Sequence, residues 1–231
     1  PKAGGTSIRV ALTSTNPQAS ISPIIENDMI GHETHSDYEN FRGYDMYCGH
    51  YGKDIFDIVN DGHLVITNFR HPVSRIVTLY NFFRDHVVLT PEELREERFY
   101  TVNFAKNSDF HEFIMCDDPR VTVYTRNQHV RQLTGSPWDN TPGDVEKAKH
   151  LVANMAGYYI CEYPYLSLLW LRETLTLQNI PKENQTEKNT NSINTNNIPD
   201  ALIKEICLYN EDDISLYSFA ANKMLLRKLI A

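Results

Sequence analysis

Hydrophobic residues recur along most of this chain at spacings that alternate between the periods of helices and strands. Thr6–Thr15 has helical periodicity, with Ile8, Ala11 and Leu12 on one face. Asn16–Arg42 is mixed and rich in turn formers, and Tyr44–Tyr51 reads as a strand running into a short helix at Asp54–Val59. His63–Phe69 (HLVITNF) is short, β-branched and apolar, the pattern of a buried strand in a parallel sheet. Pro72 then opens a helix at its first position, and Val73, Ile76, Val77, Tyr80 and Phe83 form one buried stripe. Further helices are expected near Pro91–Arg98, Ser108–Met115, Asn127–Leu133 and Gly143–Met155. A strand at Tyr158–Cys161, a helix at Leu166–Leu177 and two closing helices at Asp200–Tyr209 and Asp212–Leu229 complete the pattern. Strands alternating with helices predict an α/β domain with a mostly parallel central sheet flanked by helices. No repeat or internal boundary divides residues 1–231, so a single domain is expected. Lys182–Ile198 breaks the pattern with six Asn and almost nothing apolar, and is expected to be a flexible loop.

Composition narrows the function. Of 231 residues, 41% are hydrophobic, enough for an ordinary globular core, and the formal charge of −8 opposes general nucleic-acid binding. The four cysteines form no CxxC pair and read as reduced, mostly buried thiols of a cytoplasmic protein. No run reaches the ~20 apolar residues of a membrane helix. Pro1-Lys2-Ala3-Gly4-Gly5 reads as the turn after a strand upstream of Pro1, which leaves an upstream anchor open. A homo-oligomer is also left open.

Two segments carry candidate chemistry. In Pro1-Lys2-Ala3-Gly4-Gly5-Thr6-Ser7, a glycine pair turns backbone N–H groups toward one point at a helix N-terminus. Lys2, Thr6 and Ser7 add a cation and two hydroxyls, together a phosphate cradle. Because the lysine precedes the glycines, it is not a Walker A loop. In Arg70-His71-Pro72-Val73-Ser74-Arg75-Ile76-Val77-Thr78, Arg70 stands at the carboxyl end of a strand, where open α/β sheets bind ligands. Thr78 lies about two helical turns beyond, so the pair could grip a second phosphate. The plain alternatives are a structural glycine turn, a surface arginine and a helix threonine bonded to its own backbone.

Together, PKAGGTS and FRHPVSRIVTLY resemble the paired motifs of sulfotransferases that use 3′-phosphoadenosine-5′-phosphosulfate (PAPS), in the branch of the carbohydrate 2-O-sulfotransferases and their bacterial relatives. The resemblance is good over residues 1–86 and weaker at Asn127–Gly135, Ala148–Leu171 (with Glu162 after a strand) and Glu183–Ala220. It implies a three-layer, P-loop-like fold and a sulfuryl transfer from PAPS to a hydroxyl, leaving PAP. It further implies that Lys2, Ala3, Gly4, Gly5, Thr6 and Ser7 hold the 5′-phosphosulfate, and Arg70 and Thr78 the 3′-phosphate. Thr186 and Lys188 would reach the nucleotide from the Asn-rich loop, which is expected to close over it. His50, in Cys48-Gly49-His50-Tyr51, matches the family's catalytic histidine and would be the general base, with Lys2 stabilising the leaving group. Three positions depart from the pattern: Thr78 for Ser, His71 for Asp, and Cys48 where some members have a second His. His32 and His35 lack HExxH spacing, and no metal is expected. The net negative charge favours a small-molecule or natural-product acceptor, with a neutral glycan second. The competing readings are a nucleotide-dependent kinase and a non-catalytic nucleotide-binding module.

Overall fold

A computed structural model describes residues 3–22, 42–57, 59, 62–137, 139–175 and 192–230. The chain is mostly helical around a small parallel sheet. Strand β1 (Ile66–Phe69) pairs with β2 (Gly157–Ile160) in the register Ile66–Gly157 to Phe69–Ile160. Helix α1 (Gly5–Thr15) precedes β1. After it come α2 (Pro72–Asn81), α3 (Tyr100–Asn107), α4 (Phe110–Met115), α5 (Pro119–Thr125), α6 (Gln128–Thr134) and α7 (Val145–Asn154). Helix α8 (Pro164–Leu175) follows β2, and α9 (Asp200–Tyr209) and α10 (Glu211–Ile230) close the fold.

The sheet separates two packing regions because side chains alternate across a strand. Ile66 and Tyr159 meet Ile8 and Ala11 of α1 and Leu171 of α8. On the opposite side, Phe69, Tyr158 and Ile160 join Val130 of α6, Val152 of α7 and Leu216 and Ala220 of α10. The stripe on α2 is as expected: Val73, Ile76, Val77, Tyr80 and Phe83 are all buried, packed with α3, α4, α5 and α9 in the largest core cluster. A single π turn, Phe82–His86, carries Phe83 beyond the end of that helix.

Several expectations need correction. Tyr44–Tyr51 does not form a strand; one parallel bridge joins Ile21 to Met46. A few backbone bonds (Ser22 N–H to the Met46 carbonyl, Met46 N–H to the Ser20 carbonyl) are joined by side chains: Asp45 accepts from the Ser20 N–H and hydroxyl at 2.8 Å each, and the Tyr51 and Ser22 hydroxyls meet at 2.7 Å. The short helix that follows is a 3-10 turn, Lys53–Asp57. Strand β1 is shorter than His63–Phe69, and only Phe69 in it is fully buried. Pro91–Arg98 makes two 3-10 turns, Glu93–Arg95 and Glu97–Phe99, because its acidic run leaves no apolar stripe to pack. The four cysteines are free, yet each is half-buried rather than buried.

Two helices, α3 and α5, fall outside the expected elements. In α5, strand-favouring residues (PRVTVYT) are held helical by Pro119 at the first position and by the Asp118 side chain, which accepts the Arg120 N–H at 2.9 Å. Val121–Thr125 are all buried, so tertiary packing overrides local propensity. Of the Asn-rich loop, residues 182–191 lie outside the described residues. Its last part is bound to α2: Asn81 donates to the Ile193 carbonyl at 2.8 Å and accepts the Ile193 N–H at 3.1 Å. Among the described residues, no helix is long and apolar enough to cross a membrane.

Candidate functional site at the carboxyl end of the sheet

The turn before α1 lies against the carboxyl ends of both strands. Gly4 adopts φ +82°, a left-handed conformation that side chains resist. A Cβ there would come within 3.2 Å of the Tyr159 ring and 3.4 Å of the Cys161 sulfur; at Gly5 it would lie 3.1 Å from Asn68 Nδ2. The two glycines therefore let the backbone approach β1 and β2 closely. No side chain caps α1 and its first turn has no acidic residue, so the positive end of the helix faces this edge of the sheet.

Arg70 leaves β1 at the same edge. Its charge acts on Cys161, whose thiol burial nonetheless pushes up to about 11, with Glu162 adding to the rise. Glu162 follows β2 as Arg70 follows β1. Its carboxylate accepts the His71 backbone N–H at 3.0 Å and the Tyr217 hydroxyl at 3.2 Å. The His71 ring meets Tyr217 edge-on, 5.2 Å between centroids. Burial lowers the His71 pKa and the Glu162 charge opposes that shift. His71 thus links the two strand ends through its backbone.

The remaining expected residues divide into three groups. Ala3, Gly4, Gly5, Thr6, Ser7 and Arg70 belong to this edge. Thr78 stands two turns along α2, and its hydroxyl donates to the Ser74 carbonyl at 2.9 Å, the backbone bond of an ordinary helix threonine. Lys2, Thr186, Lys188, His32 and His35 lie outside the described residues. Among the described residues, no group of three or more His, Cys, Asp and Glu side chains could hold a metal ion.

Asn68, whose Nδ2 lies against Gly5, also lines a cavity of about 670 Å³ that follows the chain from Leu64 to Phe69; its wall takes Leu12 and Asn16 from the far end of α1 and none of residues 3–7. Cys48, Gly49 and Tyr51 form part of its wall, whereas His50, the expected base, is not among the lining residues. This segment is secured by the Tyr51 carbonyl, which accepts from Gln132 of α6 at 3.0 Å. Arg9 of α1 is close enough for its charge to act on the Cys48 thiol, whose pKa burial raises.

Sequence reasoning singled out neither Asn68 nor His129, yet both line this cavity. Asn68 is a polar residue inside an otherwise apolar strand, a signal that could have been used. His129 is placed by a buried charge cluster. Asp213, fully buried, accepts the N–H groups of His129 and Val130 at 3.0 and 2.9 Å and so caps α6. Arg75, also fully buried, donates to Gln128 Oε1 at 2.8 Å and to the Tyr124 carbonyl at 2.9 Å. Burial lowers the Arg75 pKa to about 10, with the Asp213 charge opposing the shift.

Neither a scan against protein-family models nor a search of curated proteins finds a match to this chain.

Proposed function

We propose that this chain is a PAPS-dependent sulfotransferase, built on a three-layer, P-loop-like α/β fold, that acts on the hydroxyl of a small molecule. The observation that carries the reading is the meeting of the Gly4–Gly5 turn and Arg70 at the carboxyl ends of two neighbouring parallel strands, with Asn68 between that turn and the cavity. The helices over both faces of the β1–β2 pair support the layered architecture.

In this reading the N–H groups of the turn and the N-terminus of α1, with Lys2, Thr6 and Ser7, hold the 5′-phosphosulfate. Arg70 and Thr78 grip the 3′-phosphate, and Thr186 and Lys188 add contacts to the nucleotide. Thr78 serves by turning its hydroxyl hydrogen from the Ser74 carbonyl to the phosphate, giving up that backbone bond. PAPS supplies the sulfuryl group: a bond forms from the acceptor oxygen to sulfur as the bridging S–O bond breaks, and that electron pair leaves on the phosphate of PAP. His50 takes the proton from the acceptor hydroxyl, and Lys2 offsets charge on the leaving oxygen.

Calorimetric titration with PAP, AMP and ATP tests this. Micromolar PAP binding with AMP much weaker is the expected result. Equal affinity for PAP and AMP overturns it, and a preference for ATP favours a kinase. A His50→Ala variant should lose turnover while PAP binding persists.

A further inference from the structure

Two side chains at the wall of the cavity hold buried polar atoms with no partner among the described residues. Both ring nitrogens of His129 and Oδ1 of Asn68 are buried without a hydrogen bond. His129 is only 5% exposed, and its ring stands edge-on to Phe69 with centroids 5.7 Å apart. Its Nδ1 lies 4.0 Å from Asp213 Oδ2, beyond hydrogen-bond reach. That carboxylate already receives two backbone N–H groups. A buried donor or acceptor left unmatched is costly, so such groups call for a partner.

The chemistry of that partner follows from what the cavity offers. Burial and the Arg75 charge hold the His129 pKa well below the ordinary value, so the ring is neutral at pH 7. It then presents one donor and one acceptor nitrogen, and Asn68 adds an acceptor oxygen. A hydroxyl, which both donates and accepts, complements this set. No Lys or Arg is among the described residues of the wall, and its one carboxylate, Asp45, is occupied by Ser20. Met46, Phe56, Leu133, Met155 and Leu175 are its apolar part, while His63 and Gln132, which also line it, are bonded to the Tyr44 and Tyr51 carbonyls. A sulfated or carboxylated ligand would lose its hydration here without touching a Lys or Arg of the wall, Arg9 acting on Cys48 from outside it.

We propose that this cavity receives an uncharged, largely apolar alcohol or phenol, whose hydroxyl bonds to His129 and Asn68. Asn68 Nδ2 also sits 3.1 Å from where a Gly5 Cβ would be, so the same side chain spans the cavity and the glycine turn. Only the further step, that this hydroxyl is the one sulfated, rests on the sulfotransferase reading. His129 is on that view a positioning and specificity residue, distinct from the base His50.

The test uses 2-naphthol and menthol as probes, with 2-methoxynaphthalene and 2-naphthoate as controls, in calorimetry and ligand-observed NMR. The neutral hydroxyl probes should bind. 2-Methoxynaphthalene, which cannot donate, should bind roughly tenfold more weakly than 2-naphthol, and naphthoate weaker still. His129→Phe should cost 2-naphthol about tenfold. Should that variant not fold, the imidazole ¹⁵N resonances of wild-type His129 give a second reading and should shift on saturation with 2-naphthol. Unmoved ¹⁵N resonances, naphthoate binding as tightly as naphthol, or no binding by either hydroxyl probe overturns the proposal. PAP binding without probe binding defeats this inference alone. Probe binding without PAP binding supports the cavity and defeats the sulfotransferase reading.

Discussion

The His71 backbone N–H donates to Glu162 Oε1 at 3.0 Å, tying the N-terminus of α2 to the end of β2 across 91 residues of chain. One carboxylate thereby serves a helix terminus and, through its other oxygen, the Tyr217 hydroxyl of α10. Glu162→Ala should lower unfolding free energy by about 1–3 kcal/mol, because both donors lose a charged acceptor. Glu162→Gln retains an acceptor oxygen and should cost less. Urea denaturation measures both, and an unchanged midpoint for Glu162→Ala would remove this carboxylate from the account of the fold.

Arg70→Ala should weaken PAP binding by roughly 10- to 100-fold, the worth of one charge-assisted contact to phosphate, with AMP affinity nearly unchanged. Equal losses for the two nucleotides would show that Arg70 does not distinguish the 3′-phosphate.

Gly4→Ala should destabilise the protein by about 1–2 kcal/mol, from its left-handed backbone and its approach to Tyr159. Gly62, where an added Cβ meets nothing within 4 Å, is the control and should change stability by less than about 0.5 kcal/mol on substitution by Ala. Thermal unfolding of the two variants side by side decides whether the turn is strained.

Asp213→Asn should cost about 3–5 kcal/mol, because Arg75 is then buried without a counter-charge. The double variant Arg75→Met/Asp213→Asn should recover part of that loss. Strict additivity of the single changes would show that the two charges are not coupled.

Stability should depend on pH through His129. Its pKa is lowered in the folded state, so below the unfolded value of 6.5 the unfolded chain binds the extra proton. The stabilisation is therefore complete above pH 6.5 and is lost as pH falls from there toward the folded pKa. The slope is at most about 1.4 kcal/mol per pH unit for one proton. Asp213, with its pKa raised above 3.8, acts in the opposite sense at lower pH. His129→Phe should flatten the profile between pH 5 and 6.5, as followed by denaturant midpoints.

Much of the framework was legible because the signals were local. Pro72 and the five apolar positions after it define α2, and the Gly4–Gly5 pair marks a turn that φ +82° requires. The Asp109–Glu112 capping box likewise opens α4 near the expected start. What was not legible depends on partners distant in sequence. Asp213 caps α6 from 84 residues away, and nothing near His129 announces that its ring is buried beside Phe69. Tyr44–Tyr51 alternates like a strand, yet its polar groups are satisfied by Ser20 and Ser22 from another loop. Spacing along a helix fixes the direction of Thr78 but not which acceptor its hydroxyl takes.

Helix α5 has a bearing on how the chain misfolds. Val121–Thr125 is a run of β-branched and aromatic residues with no charge, and its helical state exists only while the core around it is assembled. When that core opens, the cap at Asp118 cannot hold the segment alone, and the run becomes a free strand able to pair with its own copy on another chain. The run whose residue types most favour pairing between chains thus contributes no strand to the native fold.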